Sequence, residues 1–173
     1  MFLAAVLLAQ TTASWPEFQD RVGAYLKVRK AAAGKVPKLK AKATAEEIAV
    51  HKKSLAKAVR AARTGAQQGE IFTSSTERRI REITREEMKG STGASAKKTA
   101  KTGNPAYEAA PPVHLQANGA YPDSAPVSTM PPALLLRLPE LKPPLSFRFV
   151  GRDLVLLDSD AGIIVDFITD AIP

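Results

Sequence analysis

The sequence predicts an α+β protein with a small three-helix bundle, a proline-rich linker and a carboxyl-terminal three-stranded antiparallel β-meander. Apolar residues recur at spacings of three and four before residue 90, as in amphipathic helices. Ten prolines fall within the forty residues 105–144. Beyond them, short apolar segments alternate with two turns. We therefore divide the chain into a basic helical region (14–90), a linker (91–144) and a meander (145–173).

Residues 1–13 begin with the apolar run MFLAAVLLA and continue with small polar residues. This pattern predicts a signal peptide, cleaved after Ala9 or Ala13, and a secreted or periplasmic protein. No lysine or arginine precedes the run, so the alternatives are an apolar tail that packs on the core and a short peripheral membrane anchor. No other segment approaches the roughly 20 apolar residues that span a bilayer. No transmembrane span is predicted.

Capping residues indicate where the helices begin. Ser14 is the predicted N-cap of the first helix, and Thr44 with Glu47 forms a capping box for the second. Ser74 with Glu77 has the same spacing at the start of the third helix. Spacings of three and four predict the inward faces. They are Trp15, Phe18, Val22, Tyr25, Leu26 and Arg29, then Ile48, His51, Leu55, Ala58, Val59 and Ala62, then Ile80, Ile83 and Met88.

The linker and the meander differ in the secondary structure that their residues predict. Prolines disfavour helix and central strand over most of residues 91–144, except for one helical turn predicted at 132–138, whose leucines could dock on the helices. Three strands are predicted over 145–150, 153–157 and 163–168. About thirty residues are too few for an independent sheet, so one face should cover the helices. That face is predicted to be Phe147, Phe149, Leu154, Leu156, Ile163, Val165 and Phe167.

Charge is distributed unevenly along the chain. Residues 1–101 contain 21 Lys and Arg against 9 acids, whereas residues 102–173 contain 4 against 8. Such a basic half attracts anionic polymers or anionic lipid headgroups through counterion release and surface potential. A solvated face that aids solubility is the alternative. The predicted ligand-binding residues are Lys27, Arg29, Lys30, Lys35, Lys38, Lys40, Lys42, Lys52 and Lys53.

The remaining motifs give little support for other chemistry. Aromatic residues are not interleaved with the basic run, which disfavours nucleic acid, and export would disfavour it further. His51 is predicted to pack between helices, bonded to a backbone carbonyl. Asp158–Gly162 with Asp166 is typical of a β-turn, because a calcium loop needs a further oxygen ligand at its fifth position.

No catalytic residue, metal or cofactor is predicted. The chain has no cysteine, which excludes disulfides, thiol catalysis and Cys-ligated zinc. It also has no Gly-x-Ser-x-Gly sequence and no glycine-rich phosphate loop. The leading hypothesis is a non-enzymatic exported binding or structural protein whose basic half contacts an anionic surface. The alternative is an interaction module whose strand at 163–168 pairs with a partner strand.

Two segments, HKKSLAKAVRAARTGAQQGEIF (51–72) and FRFVGRDLVLLDSDAGIIVDFITDAIP (147–173), resemble those of a loose group of bacterial exported proteins of unknown function. The resemblance implies that both segments belong to one structural unit, bridged by a variable linker. It implies no activity and transfers no functional residue.

Overall fold

The computed structural model describes residues 14–89, 93–95, 98, 115–121 and 130–172. The predicted signal peptide and much of the linker lie outside these residues. The described elements confirm the α+β class with its meander. They are α1 (Pro16–Ala33), α2 (Ala45–Ala62), α3 (Ser74–Glu87), the short α4 (Pro132–Leu135), β1 (Leu145–Val150), β2 (Asp153–Asp158) and β3 (Ile163–Ile168).

Helix α2 begins with the predicted capping box. The backbone N–H of Glu47 donates to Thr44 Oγ1 at 3.2 Å, and the Thr44 N–H donates to the Glu47 carboxylate at 2.7 Å. The predicted caps Ser14 and Ser74 are wrong. The N-caps are the neighbouring residues Trp15 and Thr73, and neither makes a side-chain capping bond. In α3 the carboxylate of Glu77, the predicted partner of Ser74, instead accepts from Arg81 Nε at 3.0 Å.

The three strands form one antiparallel sheet in the order β1-β2-β3, and its inner face packs on the helices. Phe18 of α1 lies at the centre of this contact. Its ring centroid is 5.9 Å from that of Phe72, in the α2–α3 loop, and 6.2 Å from that of Phe147 in β1. Ile71 and Phe72 are both buried in this core. The segments 51–72 and 147–172 therefore contribute to one hydrophobic core.

A β-bulge in β3 changes which side chains face the helices. Ile164 pairs with Leu157 and Asp166 pairs with Leu156, its neighbour in β2. Val165 therefore has no partner of its own in β2. A bulge of this kind reverses the alternation of the side chains that follow. Asp166 consequently faces the helices. Phe167 packs in a second cluster on the opposite face, so its predicted place on the inner face is wrong.

The linker covers the outer edge and the second face of β3. The N–H groups of Asn118 and Tyr121 donate to the carbonyls of Ile164 and Gly162, each at 2.8 Å, and Ile164 donates to the Gly119 carbonyl at 2.9 Å. Leu115 and Tyr121 pack against the second cluster. As a result all six residues of β3 are buried. These described parts of the linker thus belong to the packed structure.

Some predictions of buried apolar residues are wrong. Ala62, predicted on the inward face of α2, is exposed. Ile48 is 50% exposed, because the buried residues of α2 begin at Leu55 and the first turns of the helix extend beyond the core. In the predicted turn at 132–138, Leu134 and Leu138 are buried as expected, whereas the two leucines between them are exposed. The turn itself is confirmed as α4.

Candidate functional site

The structure places Arg29, one of the predicted ligand residues, in an internal ion-pair cluster. Its Nε donates to Asp158 Oδ2 at 2.6 Å and its Nη2 donates to Asp160 Oδ2 at 2.7 Å. The Tyr25 hydroxyl donates to the same Asp158 oxygen at 2.7 Å. The Arg29 side chain is only 15% exposed. This cluster fastens α1 to the end of β2 and leaves Arg29 unsuited to an external ligand.

The protonation of the cluster follows from its burial and its charges. Burial, and then the charge of Asp158, raises the pKa of Tyr25 well above its ordinary value. Burial acts to lower the pKa of Arg29, but its hydrogen bond with Asp158 and the charge of that carboxylate outweigh burial, and the pKa is raised. Tyr25 therefore stays a hydroxyl donor and Arg29 a cation at neutral pH.

Seven of the other predicted residues are exposed to solvent. No ion pair involves any of the seven in the part of the chain that the structure describes. We call these seven residues the lysine-rich surface. They are Lys27 and Lys30 of α1, Lys35, Lys38, Lys40 and Lys42 of the α1–α2 loop, and Lys53 of α2.

Lys52 differs from these seven lysines, because it is half-buried beside the turn that joins β2 and β3. A Cβ atom added to Gly162 would lie 2.7 Å from Lys52 Cε. Gly162 also has a φ of 62°, in the left-handed region that favours glycine. The stem of Lys52 therefore packs α2 on this turn and contributes to the fold.

The α1–α2 loop is anchored to α2. His51 Nδ1 lies 3.0 Å from the carbonyl oxygen of Pro37, to which it donates when this nitrogen carries the proton. This contact agrees with the predicted packing role of His51. Farther along the loop, the Ala43 N–H donates to the Lys40 carbonyl at 3.2 Å. The loop lysines consequently extend from a backbone that is held at two points.

A concavity of about 360 Å³ lies between this loop and α2. Leu39 and Val50 are its most exposed large apolar residues, at 41% and 58%. Lys38 and Lys40 border it, as do Glu46 and Glu47. The side chain of Ile48 is not among the residues that line it. An exposed apolar depression thus lies within the lysine-rich surface.

A larger concavity, about 1460 Å³, lies beside β1, between the start of α1, α3 and the segment around α4. Trp15 forms part of its wall, and the Arg79 guanidinium carbon lies 4.0 Å from the Trp15 ring centroid. On the opposite side, Arg137 donates to Glu86 at 2.7 Å and to Glu87 at 2.8 Å. Arg137 is thus paired with two carboxylates, whereas Arg79 contacts Trp15 and donates to the Ser14 carbonyl at 2.7 Å.

The carboxylates of the meander accept hydrogen bonds from groups of the protein itself. Asp158 also accepts from the Ala161 N–H at 3.0 Å, as expected for a β-turn. Residues 14–89, 93–95, 98, 115–121 and 130–172 contain no group of three or more His, Cys, Asp or Glu that could hold a metal. Over the same residues, no helix combines the length and apolarity that a membrane crossing requires.

Asp166 is the important residue that sequence reasoning missed. Its carboxylate is fully buried and accepts from the backbone N–H groups of Gly69 at 2.9 Å and of Ile71 and Phe72 at 2.8 Å. It also accepts from the N–H of Phe167 at 2.8 Å. The available signal was an acid in the middle of an apolar strand, which requires compensating donors when it is buried.

Comparison with protein-family models, curated proteins and solved structures gives no match. The burial, charge and contacts of the described residues therefore carry the functional argument.

Proposed function

We propose that the protein is a non-enzymatic binding or structural protein that attaches to an anionic surface or polymer through its lysine-rich surface. The observation that carries the proposal is the concentration of exposed lysines in the α1–α2 loop. Lys35, Lys38, Lys40 and Lys42 are exposed and without ion pairs, within the described parts of the chain. They share one loop, which concentrates their charge in a small area.

Three arginines of this chain instead stabilise its own structure. Arg29 binds two aspartates, Arg63 binds Glu70 at 2.8 Å, and Arg137 binds two glutamates. These charges are neutralised internally and add little to an external field. The loop lysines are not neutralised in this way. Each lysine held near an anionic surface contributes about 1 kcal/mol, and four acting together suffice for measurable attachment.

Heparin, used as a soluble polyanion, tests the proposal. Changing all four loop lysines to glutamine should weaken heparin binding by tenfold or more, and the salt dependence of binding should become shallower. The matched control changes Arg78, Arg85, Lys89 and Lys142, which are also exposed, to glutamine. It removes the same charge elsewhere and should change the affinity much less. Equal losses in the two variants would show that only net charge matters and would contradict the proposal.

We assign His51 a packing role in this proposal. Its Nδ1 faces the Pro37 carbonyl, and the adjacent concavity is mainly apolar. The contact with Pro37 holds the imidazole between α2 and the α1–α2 loop. Export stays a prediction, because residues 1–13 lie outside the described residues, and the binding proposal does not depend on it.

Strand pairing through the meander is the second proposal, and the structure favours β1 over β3 for it. The outer edge of β3 is hydrogen-bonded to residues 118–121. The segment 145–148 of β1, by contrast, lines the 1460 Å³ concavity, which has room for an extended peptide. Sedimentation velocity over a wide concentration range tests self-pairing by this route. A monomer at every concentration would contradict it.

A further inference from the structure

We propose that the anionic partner is a lipid bilayer and that Leu39 and Val50 enter its headgroup region. This inference rests on the proposed function, which it makes specific. The same area of the protein combines two properties that bilayers recognise, namely exposed apolar side chains and surrounding positive charge. A soluble polyanion requires only the positive charge.

The apolar part is formed by two residues that lie outside the main core. Leu39 belongs to the α1–α2 loop and Val50 to α2, and both line the 360 Å³ concavity. Roughly half of each side chain is in contact with water. Exposed apolar surface of this kind is unfavourable in water, and it gains free energy when acyl chains or glycerol backbones cover it.

The positive charges surround this apolar part on both elements. Lys38 and Lys40 flank Leu39 in sequence and border the same concavity. On α2, Lys53 and Lys57 follow Val50 by three and seven residues, which places all three side chains on one helix face. Lysines with long aliphatic stems can keep their ammonium groups among headgroup phosphates while the stems follow apolar side chains inward.

The acidic residues nearby do not reverse this complementarity. Glu46 and Glu47 also border the concavity, but the carboxylate of Glu47 accepts from the Thr44 backbone N–H. Lysines outnumber these two acids in the α1–α2 loop and on the adjacent face of α2. The net charge of this area is therefore positive, and attraction to an anionic bilayer should weaken as salt is added.

Vesicle co-sedimentation with the full chain tests the inference. The probes are phosphatidylcholine vesicles with and without phosphatidylglycerol, and heparin is measured in parallel. The variant Leu39→Ser/Val50→Ser should bind anionic vesicles about thirtyfold more weakly, because roughly half of each side chain is left to bury in the bilayer. Its heparin binding should stay within about twofold of wild type, because its charge is unchanged.

The matched control is Ile48→Ser. Ile48 is as exposed as the other two residues but does not line the concavity, so its vesicle binding should equal that of wild type. Circular dichroism confirms that each variant is folded. Unchanged vesicle binding by the double variant, or an equal loss in the control, overturns the inference. If wild type binds heparin but not anionic vesicles, the lipid inference fails and the proposed function stands. If it binds neither, both fail.

Discussion

Asp166→Asn should destabilise the protein strongly, although the change replaces only one oxygen by an amide nitrogen. In the native structure the two carboxylate oxygens accept four backbone N–H groups, from Gly69, Ile71, Phe72 and Phe167. An asparagine side chain has one acceptor oxygen, and its amide group is a donor. Two of the four N–H groups therefore lose their acceptor in a site that water does not reach.

The expected size of the effect follows from these contacts. A hydrogen bond to a charged group, once lost inside the protein, costs about 2 kcal/mol, so two of them give about 4 kcal/mol. Small domains are stable by about 5–15 kcal/mol, so this loss is a large share of the total. For a chain of 173 residues it corresponds to a decrease in Tm of about 12 °C.

Urea unfolding followed by circular dichroism measures this loss. The matched control is Asp20→Asn, the same chemical change at an exposed position of α1, which should alter the free energy of unfolding by less than about 0.5 kcal/mol. A free energy of unfolding for Asp166→Asn within about 1 kcal/mol of wild type would refute the idea that this carboxylate holds the α2–α3 loop.

The remaining predictions concern a buried hydroxyl and a helix cap. Because burial and Asp158 raise the pKa of Tyr25 above its ordinary value of 10.0, the stability that the protonated hydroxyl contributes is complete below pH 10 and decreases as the pH rises further. Urea midpoints between about pH 8 and pH 11 should therefore decrease more in wild type than in Tyr25→Phe, and parallel decreases would contradict this. Thr44→Ala should lower the free energy of unfolding by about 1 kcal/mol, because it removes one half of the capping box. Thr73→Ala should cost less, since the Thr73 hydroxyl caps no backbone N–H, and equal losses in urea unfolding would argue against the cap.

Local patterns were sufficient for most of the secondary structure. The capping box at Thr44 and Glu47 and the glycine turns of the meander depend on residues close together in sequence, and both are present. The bulge at Val165 could not be predicted in this way. The bulge depends on the contacts of β3 with other segments, and no local sequence pattern indicates it. The bulge places Asp166 on the face of the sheet that packs on the helices and Phe167 on the opposite face.

The candidate site was predicted only in part, for a similar reason. Charge runs identify basic segments, but they do not distinguish a cation that faces water from one that is matched by an acid far along the chain. Arg29 finds its partners 129 and 131 residues away. Lys35 and Lys38 have no ion pair in the described residues. The exposure of Leu39 and Val50 likewise depends on which parts of the loop and of α2 pack on the core. The spacing of apolar residues along a helix does not show this.

The bonds of Asp166 also determine when the protein can become ordered. The carboxylate lies 95 and 94 residues after the N–H groups of Ile71 and Phe72, which it holds. Contacts between such distant residues form late, because a long stretch of chain must first be closed into a loop. While translation is still short of residue 166, the α2–α3 connection of a nascent chain has no acceptor for these groups. We therefore expect the helical half of a nascent chain to reach its native arrangement only after β3 has been synthesised.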